Sequence, residues 1–435
     1  MTARETIAGR QSRFDQYIGV LASAVGHADR VAPLHRYCTG LLIPGERKSV
    51  EPMAARIDPR NVRSQHQAMH HFVSDSPWDD DDVLRAVRDF TLPELTRASM
   101  VTCLIVDDSG IVKKGKHSVG VARQYCGQLG KQESCQVVVS LSIANQLGSL
   151  PLANRLYLPE TWAKDVDRRK KAKIPDEIVF LTKPEIALLQ IEDAVQAGVP
   201  KGPVLADAGY GHDIKFRNRI TALGLLYCVG IQSATTVWPP GEGPLPPGPR
   251  GQRGRAPTRL RRSPDHEPVT VKELAQSLPE KRFQMVSWTD GTKGKLRSRF
   301  AALRVRPANR DDRRTEPHPG EWLLVEWPKG EAEPTKYWFS TLPATASLKV
   351  LVRTAKLRWR IERDYQELKD EIGLDHYEGR SWRGIHHHAT LCIAAYAFLM
   401  RERLFSPSGE VERYALFSVP DLPEGFRPRG AAGTH

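Results

Sequence analysis

Three acidic positions stand out as residues able to do chemistry. VTCLIVDD is a short run of apolar and β-branched residues ending in Asp107 and Asp108, and PVLADAGYG carries a second such run ending in Asp207. Each run predicts a buried strand that stops at its acid. A carboxylate there is costly unless it is paired, hydrogen-bonded or bound to a metal, and strand ends of open α/β sheets are where sites gather. One such aspartate is commonly a structural cap. Two on separate strands, with an acidic helix later in the chain, are better explained together. That helix lies within LRWRIERDYQELKDEIG, over 357–372. Its apolar stripe is Leu357, Ile361, Leu368 and Ile372, and beside it Arg358, Glu362 and Lys369 fall within roughly 40° of one line. Read alone, this row is a solvated ion-pair ladder. Read with the aspartates, it completes an oxygen-only ligand set of Asp107, Asp207 and Glu362. Such a set suits two hard divalent cations, which in phosphodiester chemistry serve the attacking and the leaving oxygen. Three carboxylates in that role should converge within several ångströms, with Arg358 and Lys369 bordering the same cleft.

The first acid has two registers. Neighbours on a strand point to opposite faces, so either Asp107 or Asp108 is the ligand, with Asp107 preferred. Lys113, Lys114, Lys116 and Arg123 form a basic hairpin after it, suited to phosphate contact or to plain solvation. His386, His387 and His388 are consecutive on a helix and share no face, which argues against zinc. Trp288, Trp322, Trp327 and Trp338 read first as core residues.

These residues need elements to hold them. Residues 1–95 read as helical, with Phe14, Tyr17, Ile18, Leu21 and Val25 at helical spacing. In SPWDDDDVLRAVRDF, Ser76 is a plausible N-cap, Pro77 takes the first turn, and the aspartates suit the positive helix end without any metal. From about residue 100 the period changes to strands in series, then to alternating helix and strand, which indicates an α/β domain with a mixed sheet. Residues 239–268 are rich in Pro, Gly and Arg and predict a loop or disordered segment. Beyond it RFQMVSW, SRFAALRVR, EWLLVEW and KYWFSTL read as strands, and helices resume near 347. The expected organisation is an N-terminal helical region (1–95), an α/β domain in two parts (96–233 and 346–406), a β-rich insertion (234–345) and a tail (407–435).

Composition sets the outer bounds. The 435 residues are 40% apolar and 26% charged, as in an ordinary globular protein, and the net charge of +13 suits a polyanionic partner. Six scattered cysteines include no C-x-x-C pair, so a zinc finger is not expected and a reducing cytoplasm is. The apolar run Ala389–Met400 is too short to span a bilayer.

RWRIERDYQELK resembles the Y-x2-R-x3-E-x6-K signature of bacterial insertion-sequence DDE transposases. Arg358, Glu362 and Lys369 match its R, E and K, while Ala355 stands at the tyrosine position. VDDSGIVKKGKHSVGVARQYCGQLGK and VLADAGYG resemble the segments around the family's two aspartates. LHRYCTGLLIPGERKSVEPMA is similar to its N-terminal helical region. The resemblance spans about 35–400. It implies an RNase H-like catalytic fold with a β insertion between the second Asp and the Glu, and two Mg2+ or Mn2+ ions. It also implies cleavage and strand transfer at the ends of an element, double-stranded DNA (element ends and target) as partner, a homodimer on DNA, and a cytoplasmic, nucleoid-associated protein without a membrane segment. Asp107-Asp108-Ser109 fits the D-x-[ST] pattern of such first strands with Asp107 as ligand; Asp108 followed by Ser109 is the competing register.

Overall fold

The computed structural model of the protein describes residues 3–99, 102–249, 255–291 and 294–405. The tail expected at 407–435 lies outside them. Five helices open the chain: α1 (Ala3–Ala24), α2 (Ala28–Leu42), α3 (Val50–Ile57), α4 (Val62–Ser74) and α5 (Asp80–Ala98). Phe14, Tyr17, Ile18, Leu21 and Val25 are all buried, so the helical period at the start of the chain is a packing stripe. The cap of α5 differs from the sequence reading. Asp79 is the N-cap, its carboxylate accepting from the amides of Asp81 and Asp82. Ser76 instead lies near His71, and Trp78 is buried against Phe72 and His387, so the helix starts three residues on.

The sheet begins with β1 (Cys103–Val112), β2 (Ala122–Cys126), β3 (Lys131–Ala144) and β4 (Ser149–Leu156); β1, β2 and β4 each pair antiparallel with β3. The short helices α6 (Glu160–Ala163) and α7 (Val166–Lys171) then lead to α8 (Lys183–Gln196), which opens with a reciprocal capping box between Thr182 and Glu185. Next come β5 (Val204–Ala206), α9 (Ala208–Gly211), α10 (Ile214–Ala222) and β6 (Tyr227–Ile231). β5 runs parallel to both β1 and β6. The resulting order β4-β3-β1-β5-β6, with three antiparallel strands followed by two parallel ones, is the RNase H-like sheet.

The intervening segment adds β7 (Thr236–Trp238), β8 (Val269–Thr270), α11 (Val271–Ser277), β9 (Gln284–Gly291), β10 (Gly294–Pro307), β11 (Glu321–Glu326) and β12 (Lys336–Ser340). Its four longer strands are the four read from sequence. β12 pairs antiparallel with β6, so the added strands extend the same sheet instead of forming a separate body. The Pro/Arg-rich stretch is not wholly irregular in its described parts. Leu245 bridges to Arg261, and Arg262 is ion-paired to the fully buried Asp311, which also accepts from the Trp238 indole at 2.6 Å. A buried carboxylate must be satisfied, and here it fastens the end of the loop to the sheet.

The described residues end with the helices α12 (Leu348–Lys356), α13 (Trp359–Asp370) and α14 (Trp382–Phe405). The single helix expected over 357–372 is shorter and follows α12 almost directly. Ile361 and Leu368 are buried and Leu357 is half-buried. α14 is buried nearly all round, as expected for a helix with apolar residues on every side. The N-terminal helices cover it: Tyr17 donates to the Ala394 carbonyl, and Arg13 pairs with Glu402. No helix among the described residues is long and apolar enough to cross a membrane.

Candidate active site

β1 does not stop at its acids. It runs on to Val112 because β3 keeps pairing with it that far, so Asp107 and Asp108 sit in mid-strand, opposite Ser140 and Val139. Asp207 directly follows β5 and caps α9, accepting from the amides of Gly209 (2.9 Å) and Tyr210 (3.3 Å). β1 and β5 are parallel with Ile105 beside Leu205, and continuing that register sets Asp107 level with Asp207. The Asp207 turn packs tightly on β6. A Cβ at Gly230 would lie 2.8 Å from the Ala208 amide nitrogen, so the turn can approach only a glycine there.

A cleft of about 930 Å3 opens over these strands. Asp107, Asp108, Asp207, Arg358, Glu362 and Lys369 all line it, joined by Lys183, Tyr210, Gln366 and Asp370. Arg358 ties the set together. Its Nη1 lies 2.7 Å from Asp107 Oδ2, and its Nη2 pairs with Glu362 Oε1. One guanidinium thus joins the first acid on β1 to the acid on α13. Asp108 faces the other way, toward α8. Lys183 Nζ lies 2.7 Å from Asp108 Oδ2, and the Tyr210 hydroxyl donates to Asp108 Oδ1 at 3.3 Å. The two candidate first acids therefore lie on different faces, and Asp107 is the one turned toward the helix of Glu362.

Burial pushes the Asp107 carboxyl up to about 7; Arg358 opposes this, while Asp207 and Asp108 add to it. Burial likewise raises the Tyr210 hydroxyl well above its ordinary value, with Asp108, Asp107 and Asp207 contributing further. Burial works against the Arg358 guanidinium, but Asp107, Glu362 and Asp207 outweigh it and raise its pKa. Negative charge is thus concentrated on the cleft floor, and Arg358 offsets part of it.

The donor chemistry fits a hard divalent cation. Five carboxylates line the cleft and no His or Cys does, so the side chains offer hard oxygen donors. Full convergence is not met. Among the described residues no three Asp, Glu, His or Cys side chains close around one point, because Arg358 stands between Asp107 and Glu362.

The expected phosphate contacts divide. Arg358 reaches the cleft, whereas Lys369 borders it but donates to the Gly110 carbonyl and Gln128 Oε1 at 2.7 and 3.2 Å. Lys113 donates to the Tyr377 carbonyl, which anchors the hairpin, while Lys114, Lys116 and Arg123 are exposed and away from the cleft lining. Lys183 and Tyr210 escaped the sequence reading. Tyr210 lies in the ADAGYG segment already singled out, and its place three residues after a helix-capping Asp was the available signal; Lys183 carried none. Lys356 was missed too. It pairs with Glu326 at 2.7 Å beside the rings of Trp288, Phe300 and Trp338, fastening the end of α12 to the added strands.

An RNase H-like sheet with two aspartates level on adjacent parallel strands, and an arginine-linked glutamate arriving from a later helix, defines a class of carboxylate-bearing nucleic-acid enzymes. Residues 20–295 match the family model described as DDE superfamily endonuclease, and the chain belongs to that family. The match covers both aspartate segments and ends before α13. A relative described as a probable transposase for insertion sequence element IS701, from Microchaete diplosiphon, is 33% identical over 168 residues. Those residues are 38% of this chain and 41% of the relative's length.

Proposed function

We propose that the protein is a DNA transposase that cleaves and rejoins DNA at the ends of an insertion sequence, with Asp107, Asp207 and Glu362 as its catalytic carboxylates. The observation that carries this reading is the Arg358 bridge, which brings Glu362 to the face of the sheet where Asp107 and Asp207 lie level. Asp107 and Asp207 would hold a divalent ion (Mg2+ or Mn2+) from the floor of the cleft, and Glu362 would complete a pair of ions from α13. Such ions activate the attacking oxygen and stabilise the leaving one. Arg358, released from its two carboxylates, would neutralise a substrate phosphate with its planar fork. Lys183 adds a second cation on the Asp108 side. Lys369 keeps the backbone at Gly110 in place beneath the acids. Lys114, Lys116 and Arg123 would track the DNA backbone further out.

In this reading residues 1–95 and the insertion at 234–345 grip double-stranded DNA, while 96–233 and 346–406 form the catalytic domain. The enzyme works in the cytoplasm as a homodimer bridging two element ends, and the freed 3′ end is then joined to target DNA. End-labelled duplexes from the DNA flanking the gene test both steps. Site-specific cleavage in Mg2+ followed by joined products supports the proposal. Cleavage without joining reduces it to an endonuclease, and binding without cleavage to a DNA-binding protein.

A further inference from the structure

The buried face of α13 holds a residue that packing does not explain. Ile361, Asp364, Tyr365 and Leu368 lie on it, with Asp364 between Ile361 and Leu368 in the apolar stripe. Packing alone would place a leucine or isoleucine there. A buried carboxylate is costly unless it is satisfied, and apolar groups of similar volume are often no less stable than a buried polar cluster. Asp364 is only 3% exposed, and it is met from two other elements at once. The hydroxyl of Ser149, at the start of β4, donates to Asp364 Oδ1 at 2.5 Å. The Tyr396 hydroxyl of α14 donates to the same oxygen at 2.7 Å. Asp364 Oδ2 is buried with no hydrogen-bond partner among the described residues. One carboxylate oxygen therefore joins α13 to the sheet and to α14.

This joint stands behind Glu362. Two residues along a helix are separated by roughly 200°, so the two acids point to nearly opposite sides; Glu362 lines the cleft and Asp364 does not. A hold on one side of the helix sets the other. α13 has need of such a hold near its start. Its N-cap, Arg358, makes no side-chain cap hydrogen bond. In the transposase reading Arg358 leaves Asp107 for a phosphate, which removes the tie from the start of α13 to β1. Arg360 reaches the Gln146 carbonyl through an exposed contact, and the ties of Glu367 to Arg403 and of Lys369 to Gly110 lie in the second half of the helix. Apolar ridges tolerate small rotations, whereas hydrogen bonds are directional.

We infer that Asp364 is a positioning residue for the reaction: held by Ser149 and Tyr396, it fixes the turn of α13 that presents Glu362 to the metal ions. The inference rests on the transposase reading, in which Glu362 is a metal ligand. Asp364 touches neither metal nor DNA and acts only through Glu362.

Variants of the full chain separate positioning from stability. Asp364→Leu combined with Ser149→Ala and Tyr396→Phe makes the whole joint apolar and leaves no hydroxyl unmet, so its melting temperature should stay within about 4 °C of the wild type. Its kcat for cleavage in Mg2+ should fall about 10- to 100-fold with KM for the duplex unchanged, and its Mn2+ affinity in titration calorimetry should fall by a similar factor. Asp364→Asn keeps an oxygen for both donors but buries an amide without an acceptor. It should melt about 2–8 °C lower, yet hold kcat and Mn2+ affinity within about threefold of the wild type. Rate and stability then move in opposite directions, which a purely structural residue does not produce. Tyr396→Phe alone removes one donor and should lower kcat about 3- to 10-fold, again at constant KM. In a Glu362→Gln background the triple variant should leave Mn2+ affinity unchanged, because residues that act as one unit are not additive. A folded triple variant with wild-type kcat and Mn2+ affinity overturns the inference. So does activity that tracks melting temperature across the variants, or a loss of Mn2+ affinity that persists in the Glu362→Gln background. If the wild type binds Mn2+ but cleaves no DNA, the transposase reading falls, and the Mn2+ affinities still decide the role of Asp364.

Discussion

The cleft acids and the three histidines of α14 are both runs of titratable residues, yet the fold treats them in opposite ways. His386, His387 and His388 are buried and met by the protein itself. His386 accepts from the Leu156 amide and faces the Trp382 carbonyl. His388 lies between the Tyr37 hydroxyl and the Gly373 carbonyl. His387 stacks on Trp78 with ring centroids 3.5 Å apart, its two nitrogens facing the carbonyls of Val73 and Trp78. Asp107, Asp207 and Glu362 instead border open volume; Asp107 and Glu362 share a single arginine that could turn to a phosphate, and Asp207 accepts only from the amides of Gly209 and Tyr210. Clustered chemistry becomes a site only where it keeps unspent capacity and access. The histidines have neither; the carboxylates have both.

The sharpest way to break this contrast is to neutralise the cleft acids. Asp207→Asn or Glu362→Gln should lower Mg2+-dependent cleavage by at least about a thousandfold, on the order of 4 kcal/mol. Binding to the same duplex should stay within about twofold, because little basic surface is lost. Normal cleavage by either purified variant removes that residue from the catalytic set.

A second effect comes from the Asp107 carboxyl, held up to about 7 chiefly by burial. A cation must displace its proton. Mn2+ affinity, read by titration calorimetry, should therefore fall up to about tenfold per pH unit below 7. The sign for folding is the reverse. A raised folded pKa favours the neutral form, so this stabilising contribution is full below about 4 and is lost as pH rises through 7. Asp107→Asn should flatten both curves. A metal affinity that does not vary between pH 5 and 8 would contradict the placement of Asp107 on the metal-facing side.

How much of this could be read from the residues differs from element to element. Asp107, Asp207 and the helix of Glu362 were legible because strand and helix periods change sharply around them and because an arginine, a glutamate and a lysine share one line on α13. The extent of β1 was not, since a strand's end depends on its neighbour and Ser109 to Val112 pair with β3 through their backbone. Nor was the Arg358 bridge, which depends on tertiary placement. The spent ammonium groups of Lys113 and Lys369 belong to the same kind: their partners are carbonyls, which no side-chain pattern records.

The histidines supply the opposite test. Burial pushes His387 down to about 3 and His388 down to about 4. Such depressed values give stability above the ordinary value near 6.5 that is lost as pH falls toward 4. His387→Ala should cost about 2–4 kcal/mol of folding stability through the lost packing and unmet carbonyls. Urea melts between pH 4.5 and 7.5 would record both. At a temperature where the variant is folded, its cleavage rate and metal affinity should match the wild type. A large loss of metal binding in the folded variant would make α14 part of the site after all.

The smallest effect is the most discriminating, because it separates two adjacent residues. Asp108 lines the same cleft as Asp107, so proximity alone cannot choose between them. Their faces can. Asp107 meets Arg358 of α13, while Asp108 meets Lys183 of α8 and the Tyr210 hydroxyl. Asp108→Asn keeps the side chain's shape and an oxygen for Tyr210, and its main loss is the charge facing Lys183. That pair is partly exposed and worth little by itself. Cleavage should then fall by no more than about tenfold, roughly 1.4 kcal/mol, with metal affinity unchanged, whereas Asp107→Asn should match Asp207→Asn. If Asp108→Asn proves to be the dead variant and Asp107→Asn the mild one, the ligand lies on the α8 face, and Lys183 rather than Arg358 is the cation that yields its carboxylate to the metal.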